Sequence, residues 1–128
     1  MAILGIGCDL EKVARFEKHL AIPGADAFAR RFFTEEELRY SLSGPKPAER
    51  LAARFCAKEA FFKALGTGVA GNLSLAQVEV VRDGNGKPSL VPSGPAAELA
   101  QARGVKKIFL SLSHTESEAL AFVILETE

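Results

Sequence analysis

The chain has 128 residues and a mass of 13.7 kDa, which is the size of one domain of roughly 100–150 residues. Its 16 Lys and Arg balance its 16 Asp and Glu, so no net charge draws it to nucleic acid or to an anionic membrane. The two cysteines lie far apart, and no early apolar run is long enough for a secretory signal or a membrane span. We therefore expect a single domain, residues 1–128, in the reducing cytoplasm.

The first half of the chain is predicted to be one strand followed by helices. The apolar segment Ala2–Gly7 predicts a short buried strand, in which Gly5 and Gly7 allow another backbone to come close. Asp9 is then expected to cap a helix that starts at Leu10. Further helices are predicted over Ala25–Phe33, from a Thr34/Glu37 capping box to about Leu42, and over Ala48–Leu65, which Gly66 closes.

The second half of the chain is predicted to consist mainly of β-strands joined by turns. Strands are predicted over Gln77–Arg82, Lys87–Val91, Lys107–Ser113 and Ala119–Leu125, with an alanine-rich helix over Pro95–Arg103. The sequence Asp83-Gly84-Asn85-Gly86 is typical of a hairpin turn. The last strand is apolar throughout, so we expect it at the centre of the sheet. The order of elements predicts an α+β fold with a mainly antiparallel sheet packed against a helical first half.

One lysine interrupts the apolar side of the longest predicted helix. At about 100° per residue, Leu51, Phe55 and Phe62 share a stripe, and Lys58 points into its middle. An isolated ammonium buried there would cost several kcal/mol or lose its proton. Two interpretations remain open: Lys58 extends along the apolar surface to reach water, or it faces a phosphorylated ligand.

Three further charged residues flank this stripe. Arg54 lies on one side, and Glu59 and Lys63 lie on the other with the i, i+4 spacing of an ordinary surface pair. Taken together, however, these cations and this acid suit a ligand whose phosphates need positive charge and whose divalent metal needs a carboxylate. Asp9 is either a plain helix cap or, if folding brings it near Glu59, the second carboxylate of a Mg²⁺ site.

Two other motifs are ambiguous by themselves. Ser111, Ser113 and His114 lie at the end of a predicted strand, which could suggest a serine hydrolase. The G-x-S-x-G motif of such enzymes is absent, so His114 by itself does not identify a function. The glycine-rich segment from Gly66 to Gly71 closes a helix instead of opening one. It is therefore neither a P-loop nor a dinucleotide motif, and it either caps the helix or passes close to a ligand.

The first predicted helix carries a strip of basic residues. Lys12, Arg15 and His19 share one side of it, and Arg31 adds charge in the next segment. Such a pattern is usual for a solvated helix face. In a protein without net charge, it also suits an acidic partner helix.

Three segments resemble the signature motifs of the holo-acyl-carrier-protein synthases, which are small 4′-phosphopantetheinyl transferases. Gly5–Leu10 resembles the opening motif G-I-G-x-D-[IL], and Leu110–Thr115 is similar to a strand that ends in S-[IL]-S-H-[TS]. Arg54–Gly68 resembles R-F-[AC]-x-K-E-A-x-x-K-A-x-G-x-G. Phe33–Glu37 also matches the F-T-x-x-E segment. The motifs follow in the order of the family, and the similarity runs from Ile3 to about Leu125.

The resemblance implies an enzyme of fatty acid biosynthesis and lipid metabolism. It would transfer the 4′-phosphopantetheine group of coenzyme A to a serine of apo-acyl-carrier protein, with Mg²⁺, and would release adenosine 3′,5′-bisphosphate. The family implies Asp9 and Glu59 as the metal ligands, with Glu59 and Lys63 in catalysis. The general base is either Glu59 or a water on the metal. The resemblance also implies that seven residues contact the coenzyme: Arg54, Lys58, Lys63, Gly66, Gly68, His114 and Thr115.

The resemblance also implies partners. The family forms homotrimers with sites between subunits, and its acidic carrier protein would dock on the basic strip of Lys12, Arg15 and Arg31. A binding module without catalysis is the alternative, and it would hold carrier protein without coenzyme A and be indifferent to Asp9→Ala. A nucleic-acid binder is disfavoured because the net charge is zero and the aromatic residues are nine Phe, one Tyr and no Trp.

Overall fold

The computed structural model describes all of residues 1–128 and contains five strands and five helices. In chain order these are β1 (Ala2–Lys12), α1 (Val13–Leu20), α2 (Ala25–Ala29), α3 (Glu35–Leu42), α4 (Pro47–Leu65), β2 (Val78–Arg82), β3 (Pro88–Pro92), α5 (Gly94–Ala102), β4 (Val105–His114) and β5 (Glu118–Thr127). A single 3₁₀ turn, Leu75–Gln77, precedes β2. None of the helices combines the length and the apolar composition needed to cross a lipid bilayer.

The strands form two antiparallel sheets. The larger sheet has the order β1-β5-β4, and the smaller one is the β2-β3 hairpin that turns at residues 83–86. The apolar last strand is therefore central, as its sequence predicts. The predicted α+β fold with antiparallel strands is confirmed, and the strands are divided between a three-stranded sheet and a hairpin.

The helix α4 lies directly against the backbone of β1. A Cβ atom at Gly5 would lie 1.9 Å from the carbonyl oxygen of Ala64, and one at Gly7 would lie 2.0 Å from that of Ala60. Real Cβ atoms do not approach so closely, so only glycine permits this packing. Beside β1, alternate residues of β5 point at the same helix and are buried: Ala119, Ala121, Val123 and Leu125.

We expect Gly7→Ala to reduce the free energy of unfolding by about 3 kcal/mol, because the added methyl group pushes β1 off α4. Gly84→Ala is the matched control: a Cβ at Gly84 meets no atom within 4 Å, so its effect should stay within about 0.5 kcal/mol. Urea unfolding followed by circular dichroism measures both. Equal stability of the two variants would show that β1 does not lie on α4.

The structure corrects the prediction for the end of the first strand. β1 continues to Lys12, with Asp9 opposite Ala121 and Leu10 opposite Leu120 in the β1-β5 ladder. Asp9 is therefore no helix cap, and α1 begins at Val13 with Lys12 as its N-cap residue. The ten residues of β5 offer β1 backbone partners along this whole length, and these long-range hydrogen bonds outweigh the local helical pattern.

The second predicted helix is also shorter than expected. α2 ends at Ala29 instead of Phe33, and the residues up to Phe33 form turns. Thr34 has an extended backbone, since its side chain accepts a hydrogen bond from the amide of Glu37 and caps α3. The chain must leave the helical conformation before this cap. The other predicted elements are confirmed to within two residues at each end.

The sheet face opposite α4 is exposed and apolar. It is formed by Ile6 and Leu10 of β1, Phe109 of β4, and Leu120 and Phe122 of β5, each more than 40% exposed. Leu10 pairs with Leu120 across the ladder, so these side chains are neighbours. We call this surface the outer sheet face. A contiguous apolar surface of this kind is typical of a protein interface.

Candidate active site

Asp9 projects from β1 toward α4, on the strand face it shares with Gly5 and Gly7. Its side chain is about nine-tenths buried. The Oδ1 atom accepts a hydrogen bond of 2.9 Å from Lys63 Nζ, while the Oδ2 atom is buried and has no hydrogen-bond partner. An unpaired buried carboxylate oxygen is costly, and this one is available to a cation.

Glu59 lies on α4, one turn before Lys63, and is half-buried. Burial raises the pKa of the Glu59 carboxyl, and the negative charge of Asp9 raises it further. The two carboxylates therefore interact, although the residues are fifty positions apart in the chain. The sequence predicts a two-carboxylate site only if folding brings Asp9 near Glu59, and the fold does bring these two acids together.

Lys63 lies against this acidic pair and is anchored to the end of β1. Its Nζ donates to the carbonyl oxygen of Cys8 at 3.1 Å and to Asp9 Oδ1 at 2.9 Å, and its side chain is half-exposed. The hydrogen bond to Asp9 raises the pKa of the Lys63 ammonium. Lys63 therefore pairs with Asp9, and not with Glu59 as the i, i+4 spacing suggested.

A third acid, Glu11, was missed in the sequence. It forms an ion pair of 2.7 Å with Arg15, and its side chain is largely buried. Burial raises the pKa of the Glu11 carboxyl, and the negative charge of Asp9 raises it further, whereas Arg15 lowers it. The signal was the spacing of two between Asp9 and Glu11, which puts both on one face of a strand. The incorrect prediction of a helix from Leu10 concealed it.

The arrangement fits a magnesium ion. Asp9 Oδ2 is an orphaned, buried anionic oxygen, and Glu59 supplies a second carboxylate. No group of three or more His, Cys, Asp and Glu side chains converges into a complete metal cage. Mg²⁺ does not require one, because it keeps several waters and is commonly bound by one or two carboxylates together with substrate phosphates.

Lys58 does not belong to this site. Its side chain is fully buried, and its Nζ lies 2.6 Å from Glu37 Oε1 while donating to the carbonyl oxygens of Leu75 and Val78. Burial lowers the pKa of the Lys58 ammonium, and the charge of Glu37 opposes this shift. The expectation that Lys58 binds a phosphate is therefore wrong, and so is the alternative that it extends to water. All three donors are used inside the protein.

Glu37 is the partner that sequence reasoning did not find. Its Oε1 atom also accepts from the Thr34 amide, and its Oε2 atom accepts from the Val80 amide. The capping box identified Glu37 correctly but explained only one of these bonds. Glu37 thus joins α3, α4 and β2, and it fixes the helix that carries Glu59.

Arg54 points away from the acidic pair, toward α3 and β2. Its guanidinium lies 4.4 Å from the ring centre of Tyr40, with the guanidinium groups of Arg50 and Arg82 at 4.8 and 5.8 Å from the same ring. Burial lowers the pKa of Arg54, and the charge of Arg82 adds to this, while the buried Nε atom has no partner. A contact between Arg54 and a coenzyme phosphate stays a prediction.

The glycine loop and the third motif lie at two ends of α4. Gly66 ends the helix with a φ of 82°, and Gly68 has a φ of 64°, so both adopt the left-handed conformation that favours glycine. At the other end, His114 Nδ1 lies 3.1 Å from Glu49 Oε1. Thr115 turns the chain into β5, and its Oγ1 accepts from the amides of Ser117 and Glu118.

The predicted basic strip is partly engaged in contacts. Arg15 binds Glu11 and lies 4.9 Å from the ring centre of Phe55, while Lys12 and Arg31 are exposed. His19 packs edge-on against Phe28 at 4.5 Å between ring centres, so it belongs to an aromatic cluster and not to the strip.

Comparison with known proteins identifies the family. A family model described as the 4′-phosphopantetheinyl transferase superfamily matches residues 5–123. The chain belongs to this superfamily. The family membership predicted from the sequence motifs is thereby confirmed, and the matched residues include both Asp9 and Glu59.

Several phosphopantetheinyl transferases are similar over almost the whole chain. A holo-(acyl-carrier-protein) synthase of Koribacter versatilis is 45% identical over 124 residues, which are 97% of this chain and 98% of the relative. One of Vibrio vulnificus is 45% identical over 127 residues, covering 99% and 100%. The crystal structure of the enzyme from Neisseria meningitidis aligns with a TM-score of 0.87 at 39% identity, covering 98% and 100%.

A fourth relative is described with a ligand. The holo-(acyl-carrier-protein) synthase of Bacillus anthracis, in complex with CoA (3′,5′-ADP), aligns with a TM-score of 0.80 at 37% identity, and the alignment covers 98% of each chain. The transferase fold of the present chain is thus shared with proteins that are solved experimentally.

Proposed function

We propose that the chain transfers the 4′-phosphopantetheine group of coenzyme A to a serine of apo-acyl-carrier protein, with Mg²⁺ held by Asp9 and Glu59. The transfer itself follows from the family and from the names of close relatives. The single observation that supports the metal assignment is the buried, unpaired Oδ2 of Asp9 beside the carboxylate of Glu59. The cysteines are both free, in keeping with a reaction in the cytoplasm.

The reaction is a displacement at phosphorus. The serine oxygen of the carrier forms a bond to the β-phosphorus of coenzyme A, the bond to the adenosine 3′,5′-bisphosphate breaks, and the serine proton goes to a base. Glu59 is the acid whose raised pKa suits this role, directly or through a water. Magnesium, when bound, supplies positive charge that compensates the charge developing on the phosphate oxygens.

Lys63 supplies the protein's own positive charge. Two of its three donors are bonded to Cys8 and Asp9, and the third is left for a phosphate oxygen. Because its ammonium is held in place, little reorganisation is needed as charge develops in the transition state. The backbone at Gly66 and Gly68 has open space around it, which suits a passage beside the adenosine. His114 and Thr115 lie at the other end of α4, so they complete the proposed coenzyme contacts in the site of a neighbouring subunit.

The carrier protein docks on the strip of Lys12, Arg15 and Arg31. Lys12 and Arg31 are exposed, and Arg15 lies beside a partly exposed Phe28 on the same side of the molecule. Positive charge beside an apolar surface suits an acidic amphipathic helix. Asp9 lies three residues before Lys12 in the same strand, an arrangement that suits a carrier whose serine reaches the acidic pair.

We further propose that three copies of the chain assemble through the outer sheet face, which leaves five large apolar side chains exposed. Phe122→Glu is expected to convert a trimer into monomers and to reduce the transfer rate, since the family places its sites between subunits. Val91→Glu is the matched control, because Val91 is similarly exposed on β3. Light scattering after gel filtration gives the mass, and an unchanged mass for Phe122→Glu would contradict this interface.

Intact-protein mass spectrometry tests the proposed function. The purified chain with coenzyme A, Mg²⁺ and an apo-acyl-carrier protein is expected to add one phosphopantetheine to the carrier, and EDTA should stop the addition. In a control reaction, excess Mg²⁺ added after EDTA should restore the addition of phosphopantetheine. If the carrier gains no mass under any of these conditions, the transferase assignment is wrong. If EDTA has no effect, the metal assignment is wrong.

A further inference from the structure

A largely buried carboxylate at the start of α4 holds the ring of His114. Glu49 lies in the first turn of the helix, where the helix N-terminus stabilises negative charge. Its Oε1 atom lies 3.1 Å from His114 Nδ1, and its side chain is only 11% exposed. His114 ends β4 and is half-exposed. The contact therefore joins a fixed acceptor to an imidazole at the protein surface.

The surroundings of Glu49 explain why one oxygen is left for the histidine. Lys46 Nζ lies 3.9 Å from Oε2, on the other side of the carboxylate. Oε1 faces the ring. A carboxylate accepts hydrogen bonds and donates none, so the ring nitrogen facing it carries a proton. The Nε2 atom of His114 makes no hydrogen bond within the protein and lies on the opposite side of the ring.

We propose that Glu49 is a positioning residue for His114, an inference that rests on the proposed contact of His114 with the coenzyme. Glu49 fixes the plane of the ring and keeps a proton on Nδ1. Nε2 is then always the nitrogen that meets the coenzyme. Glu49 itself touches no substrate. Carboxylates behind metal-binding histidines orient their rings in the same way.

Nuclear magnetic resonance tests the orientation directly. Long-range ¹H–¹⁵N spectra of the full chain, recorded where both imidazoles are neutral, distinguish protonated from unprotonated ring nitrogens. The chain has only two histidines, so His114→Ala assigns the signals. We expect the proton of His114 on Nδ1 in the wild type and in Glu49→Gln, whose amide oxygen still accepts, and on Nε2 in Glu49→Ala.

Glu116→Gln is the matched control, because Glu116 lines a surface groove together with Glu49 and Lys46 but makes no hydrogen bond to His114. It should keep the wild-type spectrum. A proton on Nε2 in the wild type would overturn the proposal, whether or not any variant folds. An unchanged spectrum in a folded Glu49→Ala would overturn it as well.

Kinetics separate this inference from the proposed function. Glu49→Ala should raise the KM for coenzyme A about tenfold with little change in kcat, and Glu49→Gln should raise it less. In a His114→Ala background, Glu49→Ala should add nothing, and a further rise of the same size would overturn the proposal. If His114→Ala alone leaves KM unchanged, the proposed coenzyme contact fails, while the spectra still decide whether Glu49 holds the ring.

Discussion

Glu59→Gln is expected to reduce kcat for carrier modification by at least about 1000-fold, because the variant loses an anionic metal ligand and the proposed base while it keeps the shape of the side chain. Asp9→Asn should cause a loss of similar size, since it neutralises the buried Oδ2. Intact-mass assays at saturating coenzyme A and carrier measure both rates. Circular dichroism checks that the variants are folded.

Glu98→Gln is the matched control for charge, because Glu98 is exposed on α5 and makes no ion pair. It should retain the wild-type rate. If Glu59→Gln and Asp9→Asn keep more than about a tenth of that rate, neither carboxylate stabilises the transition state by the several kcal/mol that a metal site supplies. The site would then lie elsewhere.

Lys58→Met is expected to lower the free energy of unfolding by about 3–5 kcal/mol, because it leaves the buried charge of Glu37 without its cation. It also leaves the carbonyl oxygens of Leu75 and Val78 without their donor. Urea unfolding followed by circular dichroism gives the difference. Lys106→Met, at an exposed lysine of β4, is the matched control and should stay within about 0.5 kcal/mol.

The double variant Lys58→Met/Glu37→Gln distinguishes the ion pair from a simple loss of packing. Removing the uncompensated charge should recover part of the stability, so the double variant should be less destabilised than the sum of the two single ones. Strict additivity would mean that Lys58 and Glu37 do not act as a pair. Activity is expected to fall in proportion to the folded fraction, since Lys58 touches no substrate.

Local signals made much of the fold predictable. The capping box at Thr34, the helix end at Gly66 and the turn after Asp83 are each determined by residues a few positions apart, and all three are confirmed. The end of β1 was not predictable in this way. Its residues have helical periodicity, and only the length of β5, more than a hundred positions later, holds them in a strand.

The site, like the fold, has some features that local sequence patterns predict and others that depend on contacts between distant residues. The motifs predict Asp9, Glu59 and Lys63 as site residues, and in the structure Asp9 interacts with Glu59 and with Lys63. The same motifs misplaced Lys58, because a lysine in an apolar stripe needs a partner and that partner, Glu37, lies on another helix. The contact of Glu49 with His114 likewise spans sixty-five positions, so no local pattern announces it.

Binding of Mn²⁺ as a paramagnetic substitute for Mg²⁺ tests most directly whether two acids from a strand and a helix share one ion. Electron paramagnetic resonance titrations in the presence of coenzyme A should give one bound ion per chain for the wild type and for Glu98→Gln. Asp9→Asn and Glu59→Gln should each weaken that binding by about 30-fold or more. Equal affinity in all four proteins would contradict the account.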